Sequence, residues 1–182
     1  SACFVLPVED TLESIFEAAK RMARVHSSGG GTGFAFSKLR PAGDPVGERM
    51  GVASGPVAFL QVFDAATGAI KQGGRRRGAN MGVMRVDHPD VLAFARCKRE
   101  PDQITNFNLS IATTDAFWRA AEAGGEFALR HPHDGHRVEL VYASTLLDEI
   151  AACSWATGDP GLLYFSDGVS DEILESVSRY RD

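Results

Sequence analysis

Cysteine is the residue type in this chain most able to do redox chemistry, and the sequence of 182 residues holds three: Cys3, Cys97 and Cys153. Their odd number, wide spacing and lack of a CxxC pair argue against a disulfide scaffold and a structural zinc site. Cys3 lies in an apolar run, where a free cysteine commonly packs as a small hydrophobe. Cys97 and Cys153 fall on predicted helices, and we interpret both as packing residues. The residues alone favour packing over catalysis at Cys3.

A basic segment, Lys71 to Arg77, follows a predicted helix and carries three consecutive arginines beside glycines. Arginine presents a fixed fork of donors that suits phosphates and planar bases. Glycine lets the backbone approach a ligand closely. The alternative is a solvated basic turn, which is the usual role of a charge run. The segment is therefore a candidate site for an anion or a nucleotide base.

A second glycine-rich stretch, Gly29 to Gly33, connects a predicted helix to a predicted strand. Exposed backbone N–H groups in such a stretch can bind an anion. It is not a P-loop, because the GK[ST] sequence is missing and a strand, not a helix, follows it. A tight connection between helix and strand is the simpler interpretation of these residues.

Two polar groups are weaker candidates. His131, His133 and His136 stand near Asp134 in a segment that contains Pro and Gly, which predicts a turn and not a metal site. Asn106 and Asn108 flank Phe107 on a predicted strand, so the two amides are expected to share one face. They could bind polar groups of a substrate if that face lines a pocket, or they could be ordinary polar residues on an exposed face.

The composition excludes several classes of protein. Hydrophobic residues make up 44% and charged residues 24%, which is ordinary for a globular protein. The net charge of −5 argues against a globally basic nucleic-acid binder. No apolar run approaches the roughly 20 residues that span a bilayer, and no signal peptide is visible. The cysteine pattern fits a reducing, cytoplasmic setting.

The hydrophobic periodicity alternates between strands and helices, which indicates an α/β fold with a largely parallel sheet or barrel. Asp10 with Glu13 resembles a capping box at the start of the first helix. Pro56 is expected in the first turn of the second helix, and a glycine- and proline-rich loop covers 40–55. The predicted strands are 2–8, 33–37, 81–86, 104–112, 127–129 and 162–165, and the predicted helices are 11–26, 55–71, 88–98, 115–123, 143–157 and 170–181.

Consecutive blocks of the chain resemble ribonucleotide reductase in order and approximate spacing. The specific blocks are SACFVLPVED at the start and KQGGRRRGANMG in the middle; the supporting ones are HSSGGGTGFAFSKLRPAGD, ITNFNLSIATTDAFW and TGDPGLLYF. The resemblance covers residues 1–168 as a partial barrel domain and leaves 169–182 as an unassigned tail. It is nearer to the adenosylcobalamin-dependent class (class II) than to the iron-dependent large subunit. It implies the N-terminal half of a ten-stranded α/β barrel, with parallel strands alternating with helices.

The resemblance implies the reduction of ribonucleotides to deoxyribonucleotides by a thiyl-radical mechanism. Cys3 matches the first cysteine of the reducing pair, and Ala2, Gly30 and Gly31 match the wall beside the ribonucleotide substrate. Adenosylcobalamin is the implied cofactor, with most of its contacts outside this chain. A thioredoxin-type protein is the implied reductant.

Allosteric control by a deoxynucleotide (dNTP) effector is also implied. Asp10, Thr11, Leu12 and Arg40 match effector-binding residues, and the loop 41–54 matches a first specificity loop. A homodimer is implied through the helices at 11–26 and 55–70. The second specificity loop matches Gln72, Gly73, Gly74, Arg75, Arg76 and Arg77.

The departures from the family pattern limit what this chain can do alone. The Asn-x-Cys-x-Glu motif of the radical cysteine is absent, as is the second cysteine of the reducing pair. We therefore expect the isolated chain to be inactive without the remainder of the reductase chain. Two alternatives stay open: a non-catalytic nucleotide-binding regulatory module with the same fold, and the large subunit of an iron-dependent reductase. The choice between diphosphate and triphosphate substrates also stays open.

Overall fold

The computed structural model describes residues 3–46, 51–70, 78–100 and 102–166. Three sequence predictions lie outside these ranges: the substrate-wall residue Ala2, the specificity loop Gln72 to Arg77, and the tail 169–182 with its predicted helix. In chain order the elements are β1 (Cys3–Val5), α1 (Leu12–Ser27), β2 (Gly31–Ala35), β3 (Pro45–Val46), β4 (Gly51–Val52), α2 (Pro56–Ala69), β5 (Asn80–Arg85), α3 (Val91–Arg96), β6 (Phe107–Thr114), α4 (Asp115–Glu122), β7 (Glu126–Arg130), β8 (Arg137–Tyr142), α5 (Ala143–Thr157) and β9 (Gly161–Phe165).

Five parallel strands form the main sheet, in the order β1-β2-β5-β6-β9. Helices connect these strands, which confirms the predicted α/β class with parallel strands alternating with helices. In the described part of the chain, β1 and β9 are the two edges, so the sheet is open and not closed into a barrel. All five strands run the same way, so their amino ends meet at one edge of the sheet and their carboxyl ends at the other.

Helix α1 packs on the sheet through Ile15, Ala18, Met22 and His26, a spacing that places all four on one helical face. The predicted capping box of Asp10 and Glu13 is wrong. Thr11 is the N-cap residue, and its hydroxyl accepts from the backbone N–H of Ser14 at 3.1 Å. The shift by one residue leaves the Asp10 carboxylate available for contacts outside the helix.

Aromatic side chains dominate the core between the sheet and α2. Phe34 and Phe36 extend from β2, and Phe63 of α2 packs on Phe34 with ring centroids 4.8 Å apart in an edge-to-face arrangement. Phe107 of β6 completes the cluster. Burying large rings is the main favourable term for such a core, at roughly 25 cal/mol per Å² of apolar surface. Pro56 occupies the first turn of α2, as predicted.

The first predicted strand is too long. The sequence predicts a buried strand over residues 2–8, but β1 covers only Cys3–Val5 and Cys3 is exposed. The physical reason is that β1 pairs with β2 alone and forms an edge of the sheet. Val8 is buried although it lies outside any strand, so the apolar run in the sequence marks a core residue that follows the strand.

Two short antiparallel hairpins were missed. The predicted loop 40–55 contains the pair β3–β4, and β8 pairs with β7 although no strand was predicted there. Residues 137–142 are largely exposed, so the sequence has no buried apolar stripe that would mark a strand. Smaller shifts affect several other boundaries. The strand predicted at 33–37 is β2, that at 104–112 is β6, and the helix predicted at 88–98 is α3. The helix predicted at 143–157 agrees with α5 to the residue.

In the described ranges, no helix is both long and apolar enough to cross a membrane.

Candidate functional site

Cys3 and Gly31 lie side by side at the amino edge of the sheet, where β1 pairs with β2. A Cβ placed on Gly31 would lie 3.4 Å from the Cys3 Sγ and 3.4 Å from the backbone oxygen of Ala79. Because glycine has no such atom, the sulfur keeps open space at an exposed position. The structure therefore brings together two predicted residues, Cys3 and Gly31, with Gly30 directly before the strand.

The face of the sheet that carries Cys3, which we call the open face, also carries a polar residue from β6. Directly paired residues of parallel strands share a face, and the pairs Gly33–Met81 and Met81–Asn108 extend this face from β2 to β6. Asn108 is exposed there. Asn106 does not join it: this residue precedes β6, and its backbone and side-chain amides both donate to the Asp64 carboxylate of α2. The predicted pair of amides on one face is therefore wrong.

The other two cysteines are packing residues, as predicted. Cys153 is fully buried in the core. Burial also raises the pKa of the Cys97 thiol to about 12, so this thiol stays protonated near neutral pH. Among the described residues, Cys3 is therefore the cysteine that is exposed.

A cavity of about 430 Å³ opens at the opposite, carboxyl edge of the sheet. This volume lies in the range of small-molecule sites in proteins, which is roughly 300–1,000 Å³. All four predicted effector residues line it, together with part of the predicted first specificity loop and the start of α2. The lining residues are Asp10, Thr11, Leu12, Glu13, Ile15, Arg40, Val46, Gly51, Val52, Ala53, Ser54, Gly55 and Phe59.

Three charged residues line this cavity, Asp10, Glu13 and Arg40, and two of them, Asp10 and Arg40, contact each other. The Arg40 Nε donates to the Asp10 Oδ2 at 2.6 Å, and the Arg40 backbone N–H donates to Oδ1 at 3.1 Å. The His133 Nε2 lies 3.1 Å from the same Oδ2. This contact was not predicted, because nothing in the sequence shows that the β7–β8 turn reaches the start of α1. The cavity thus presents a cation and an anion that are fixed by each other.

The histidines of the β7–β8 turn form hydrogen bonds with carboxylates. One ligand atom each from His131, Asp134 and His136 lies within 4.8 Å of the others, which is a spacing that could hold a metal ion. However, the rings of His131 and His136 stack with an angle of 13° between their planes. Nitrogen lone pairs lie in the ring plane, so two stacked rings cannot both point at one ion. Instead the His131 Nε2 contacts Asp44 at 2.6 Å and the His136 Nδ1 contacts Asp134 at 2.6 Å.

A buried polar cluster behind the Cys3–Gly31 pair was missed altogether. It consists of His26, Thr32, Thr67 and Asn80, each less than 5% exposed. A signal was present in the sequence: polar residues occupy the apolar stripe of α1 and the buried positions of two strands. Taken alone, however, each of these residues would be interpreted as an isolated polar residue.

These features define a parallel α/β domain with an accessible cysteine at one edge of its sheet and a cavity with paired charges at the other. A family model described as the barrel domain of ribonucleotide reductase matches residues 1–169, and the chain belongs to this family.

Relatives in the same family agree with the class predicted from the sequence. The chain is 49% identical over 165 residues to a vitamin B12-dependent ribonucleoside-diphosphate reductase of Mycobacterium tuberculosis, covering 90% of this chain and 24% of the relative. It is 46% identical over 168 residues to the enzyme of that name from Thermoplasma acidophilum, covering 92% and 22%. A vitamin B12-dependent ribonucleotide reductase of Streptomyces clavuligerus is 35% identical over 188 residues, covering 90% and 20%. The chain thus spans between a fifth and a quarter of the length of these curated relatives.

Proposed function

We propose that this chain is part of the catalytic barrel of a ribonucleotide reductase, which converts ribonucleotides to deoxyribonucleotides. The observation that carries the proposal is the position of Cys3, exposed beside Gly31 on the open face of the sheet. In the overall reaction, the C2′ hydroxyl of the ribose leaves as water and a hydrogen takes its place. Two thiols are oxidised to one disulfide, which balances the two electrons and two protons.

Cys3 is one of these two thiols in our proposal, and the second comes from the remainder of the reductase chain. Neither of the other two cysteines of this sequence suits the role, because Cys153 is buried in the core and the Cys97 thiol lies in apolar surroundings. An external dithiol protein of the thioredoxin type would return the disulfide to thiols. This cycle needs a reducing compartment, in keeping with the free cysteines and with the predicted cytoplasmic location.

Adenosylcobalamin is the cofactor we propose, because the relatives are named as vitamin B12-dependent enzymes. When bound, it would supply the radical that starts the reaction. The described residues offer no evident set of contacts for it. The histidines at 131–136 contact carboxylates, and their hairpin bonds to Asp87 beyond the carboxyl end of β5, away from Cys3. We therefore assign no residue of this chain to the cofactor.

The cavity at the carboxyl edge is the site we propose for a dNTP effector. Arg40 provides a guanidinium for a phosphate, and the Asp10 carboxylate can accept hydrogen bonds from a ribose hydroxyl. Thr11 and Leu12 contribute the first turn of α1, where a helix favours negative charge. Effector binding would separate or reorient the Asp10–Arg40 pair, so the site exchanges one set of charged contacts for another.

A homodimer through α1 and α2 is the assembly we propose. Leu12 and Phe16 are 59% and 54% exposed on α1, and Val52, at the cavity, is 73% exposed. Large apolar side chains grouped on one surface mark an interaction site. A second copy placed against them would also cover the open side of the cavity.

The test of the proposed activity uses the complete reductase that contains this chain, with adenosylcobalamin and a dithiol reductant. Cys3→Ser is expected to abolish the formation of deoxynucleotides while ribonucleotide binding persists. Cys97→Ala serves as the matched control, because that thiol packs in the interior and is expected to be dispensable for turnover. Full turnover by Cys3→Ser would overturn the assignment of Cys3. Failure of the unaltered protein to form deoxynucleotides would overturn the proposed activity.

A further inference from the structure

Four buried polar side chains form one continuous chain of hydrogen bonds across two helices and two strands. The His26 Nε2 lies 3.0 Å from the Thr32 hydroxyl, and that hydroxyl donates to the Asn80 Oδ1 at 2.5 Å. The Asn80 Nδ2 donates to the Thr67 hydroxyl at 2.8 Å. This hydroxyl donates in turn to the backbone oxygen of Phe63 at 2.8 Å. We refer to His26, Thr32, Asn80 and Thr67 as the polar chain.

The direction of every bond in the polar chain is fixed. The single hydrogen of Thr32 is used on Asn80, so Thr32 must accept from His26, which assigns the proton of that imidazole to Nε2. The second hydrogen of the Asn80 amide reaches the backbone oxygen of Asn106 at 3.2 Å. Burial lowers the pKa of His26, which keeps the ring neutral and preserves this arrangement. A buried network whose members donate and accept in one order favours a single arrangement of the elements that hold it.

The polar chain lies directly behind the wall that carries Cys3. Thr32 follows Gly31 in β2, and its side chain is buried beneath the helices. The Thr32 backbone N–H donates to the oxygen of Ala79, the atom that a Cβ on Gly31 would approach. A displacement of Thr32 or Asn80 would therefore move the backbone that flanks the Cys3 sulfur.

The same polar chain holds the far ends of the two helices that begin at the cavity. Helix α1 begins at Leu12, which lines the cavity, and its last turn carries His26. Helix α2 begins next to Gly55, also a lining residue, and carries Thr67 in its last turn. Each helix thus connects the carboxyl edge of the sheet, where the cavity opens, to the amino edge, where Cys3 lies. At about 1.5 Å per residue, these helices span roughly 20 Å.

Gly78 packs tightly against the last turns of α1 and α2, and we refer to this contact as the junction. A Cβ on Gly78 would lie 2.6 Å from the His26 Nδ1 and 2.9 Å from the Thr67 Cγ2, so both helix ends press on one glycine. The His26 Nδ1 is fully buried without a hydrogen-bond partner among the described residues. Thr67 and Gly78 also flank the basic segment 71–77 in the sequence, so the junction fixes the chain on both sides of it.

We propose that the polar chain positions the substrate wall in response to the cavity: a ligand that shifts the starts of α1 and α2 moves Gly31 and Cys3 through His26 and Thr67. The inference rests on the proposed reductase function and adds a specific route to it. Thr67 and Asn80 are positioning residues in this route and touch no reacting atom. The coupling of two sites requires an element that both sites influence, and the two helices provide it.

Thr67→Val tests the route, because valine keeps the shape of threonine and removes its hydroxyl. Thr67→Ser is the rescue variant. Thr157→Val in α5 is the matched control, since the Thr157 hydroxyl also donates to the oxygen four residues earlier, that of Cys153, but has no part in the polar chain. In the complete reductase, we would measure the affinity for dTTP and the kcat/KM for each ribonucleotide with and without dTTP.

We expect Thr67→Val to bind dTTP with an affinity within about twofold of the unaltered protein. The ratio of kcat/KM with dTTP to kcat/KM without dTTP should fall at least about threefold. Coupling between two sites usually changes affinity roughly 5- to 150-fold, so a threefold loss is large enough to detect. Thr67→Ser and Thr157→Val should keep the ratio. An unchanged ratio in Thr67→Val would overturn the proposal. An equal loss of stimulated and unstimulated turnover would also overturn it, by showing a merely structural role.

A second measurement separates this inference from the proposed activity. Hydrogen exchange of the amides at 31–35 and 78–80 can be followed with and without dTTP, and it does not depend on turnover. The unaltered protein should show a change of protection on dTTP binding, and Thr67→Val should bind dTTP without that change. If the protein forms no deoxynucleotide but shows this pattern, the reductase activity fails and the coupling stands. If dTTP binds and neither protein responds, the coupling is wrong.

Discussion

Arg40 and Asp10 contact each other twice, through the Nε to Oδ2 distance of 2.6 Å and the backbone N–H to Oδ1 distance of 3.1 Å. The second contact belongs to the backbone, so it survives replacement of the Arg40 side chain. Arg40→Ala is therefore expected to keep the local fold while removing the cation at the cavity. A charge-assisted hydrogen bond contributes roughly 1.5–3 kcal/mol, so dNTP affinity should fall about tenfold or more.

Calorimetric titration of the complete reductase with dATP and dTTP measures this loss. Lys20→Ala is the control, because Lys20 is an exposed cation on α1 paired with Glu17 in the preceding turn. Unchanged affinity in Arg40→Ala would place the effector phosphates elsewhere.

Gly78→Ala is expected to destabilise the fold, although alanine is the smallest possible addition. The new Cβ would lie 2.6 Å from the His26 Nδ1 and 2.9 Å from the Thr67 Cγ2, and neither belongs to a side chain that can swing away. Overpacking of this kind typically costs about 1–3 kcal/mol. The measurement is the midpoint of urea unfolding. Gly125→Ala is the matched control, since the nearest atom to its Cβ is 3.6 Å away. Equal midpoints for the two variants would refute the tight junction.

The parallel α/β architecture was predictable from the sequence, because apolar stripes with two different periods alternate along the chain. Helix α5 shows this most clearly, since its Leu146, Ile150 and Cys153 mark one buried face. The hairpins were not predictable in the same way. Exposed strands such as β8 are held by backbone pairing, which requires no buried apolar side chains and so gives no periodic pattern in the sequence.

The candidate site was predictable in part. The resemblance identified Asp10 and Arg40, which are 30 residues apart, and the fold brings their charges into contact. The polar chain was not found, since a hydrogen bond between Thr32 and Asn80 depends on the register of β2 with β5. A sequence pattern predicts that a residue is buried, and it does not predict which polar partner lies across the sheet.

Stability is expected to fall as the pH drops below about 6.5, through two buried histidines. Burial is the main cause that lowers the pKa of His88, and the same holds for the pKa of His26. Both ring nitrogens of His88 are occupied: Nε2 lies 2.8 Å from the oxygen of Leu39, and Nδ1 accepts from the backbone N–H of Asp90 at 3.0 Å. Protonation of Nδ1 would remove that acceptor, so the folded state resists it.

The sign follows from proton linkage. A histidine whose pKa is lower in the folded state binds fewer protons there than in the unfolded state. Acidification from pH 7.5 through 6.5 towards the folded pKa therefore favours unfolding, by up to about 1.4 kcal/mol per pH unit for each group. His88→Gln should reduce the slope of the urea midpoint against pH. An equal slope in His88→Gln and the unaltered protein would contradict the prediction.

Phe16→Glu is expected to weaken the self-association of the complete reductase. Phe16 is 54% exposed on α1, one turn after Leu12, which is 59% exposed, so the two side chains form an apolar strip beside the cavity. A buried, unpaired carboxylate in a subunit interface carries a large desolvation cost, so the dimer should dissociate at a higher protein concentration.

Because this strip adjoins Leu12 of the cavity, weaker association should also weaken dNTP binding. Sedimentation velocity over a range of concentrations, with and without dTTP, measures both effects. Glu17→Gln is the control, since Glu17 is a neighbouring exposed residue whose change adds no charge. A dimer that persists in Phe16→Glu at the concentrations where the unaltered protein dimerises would show that the two copies meet elsewhere.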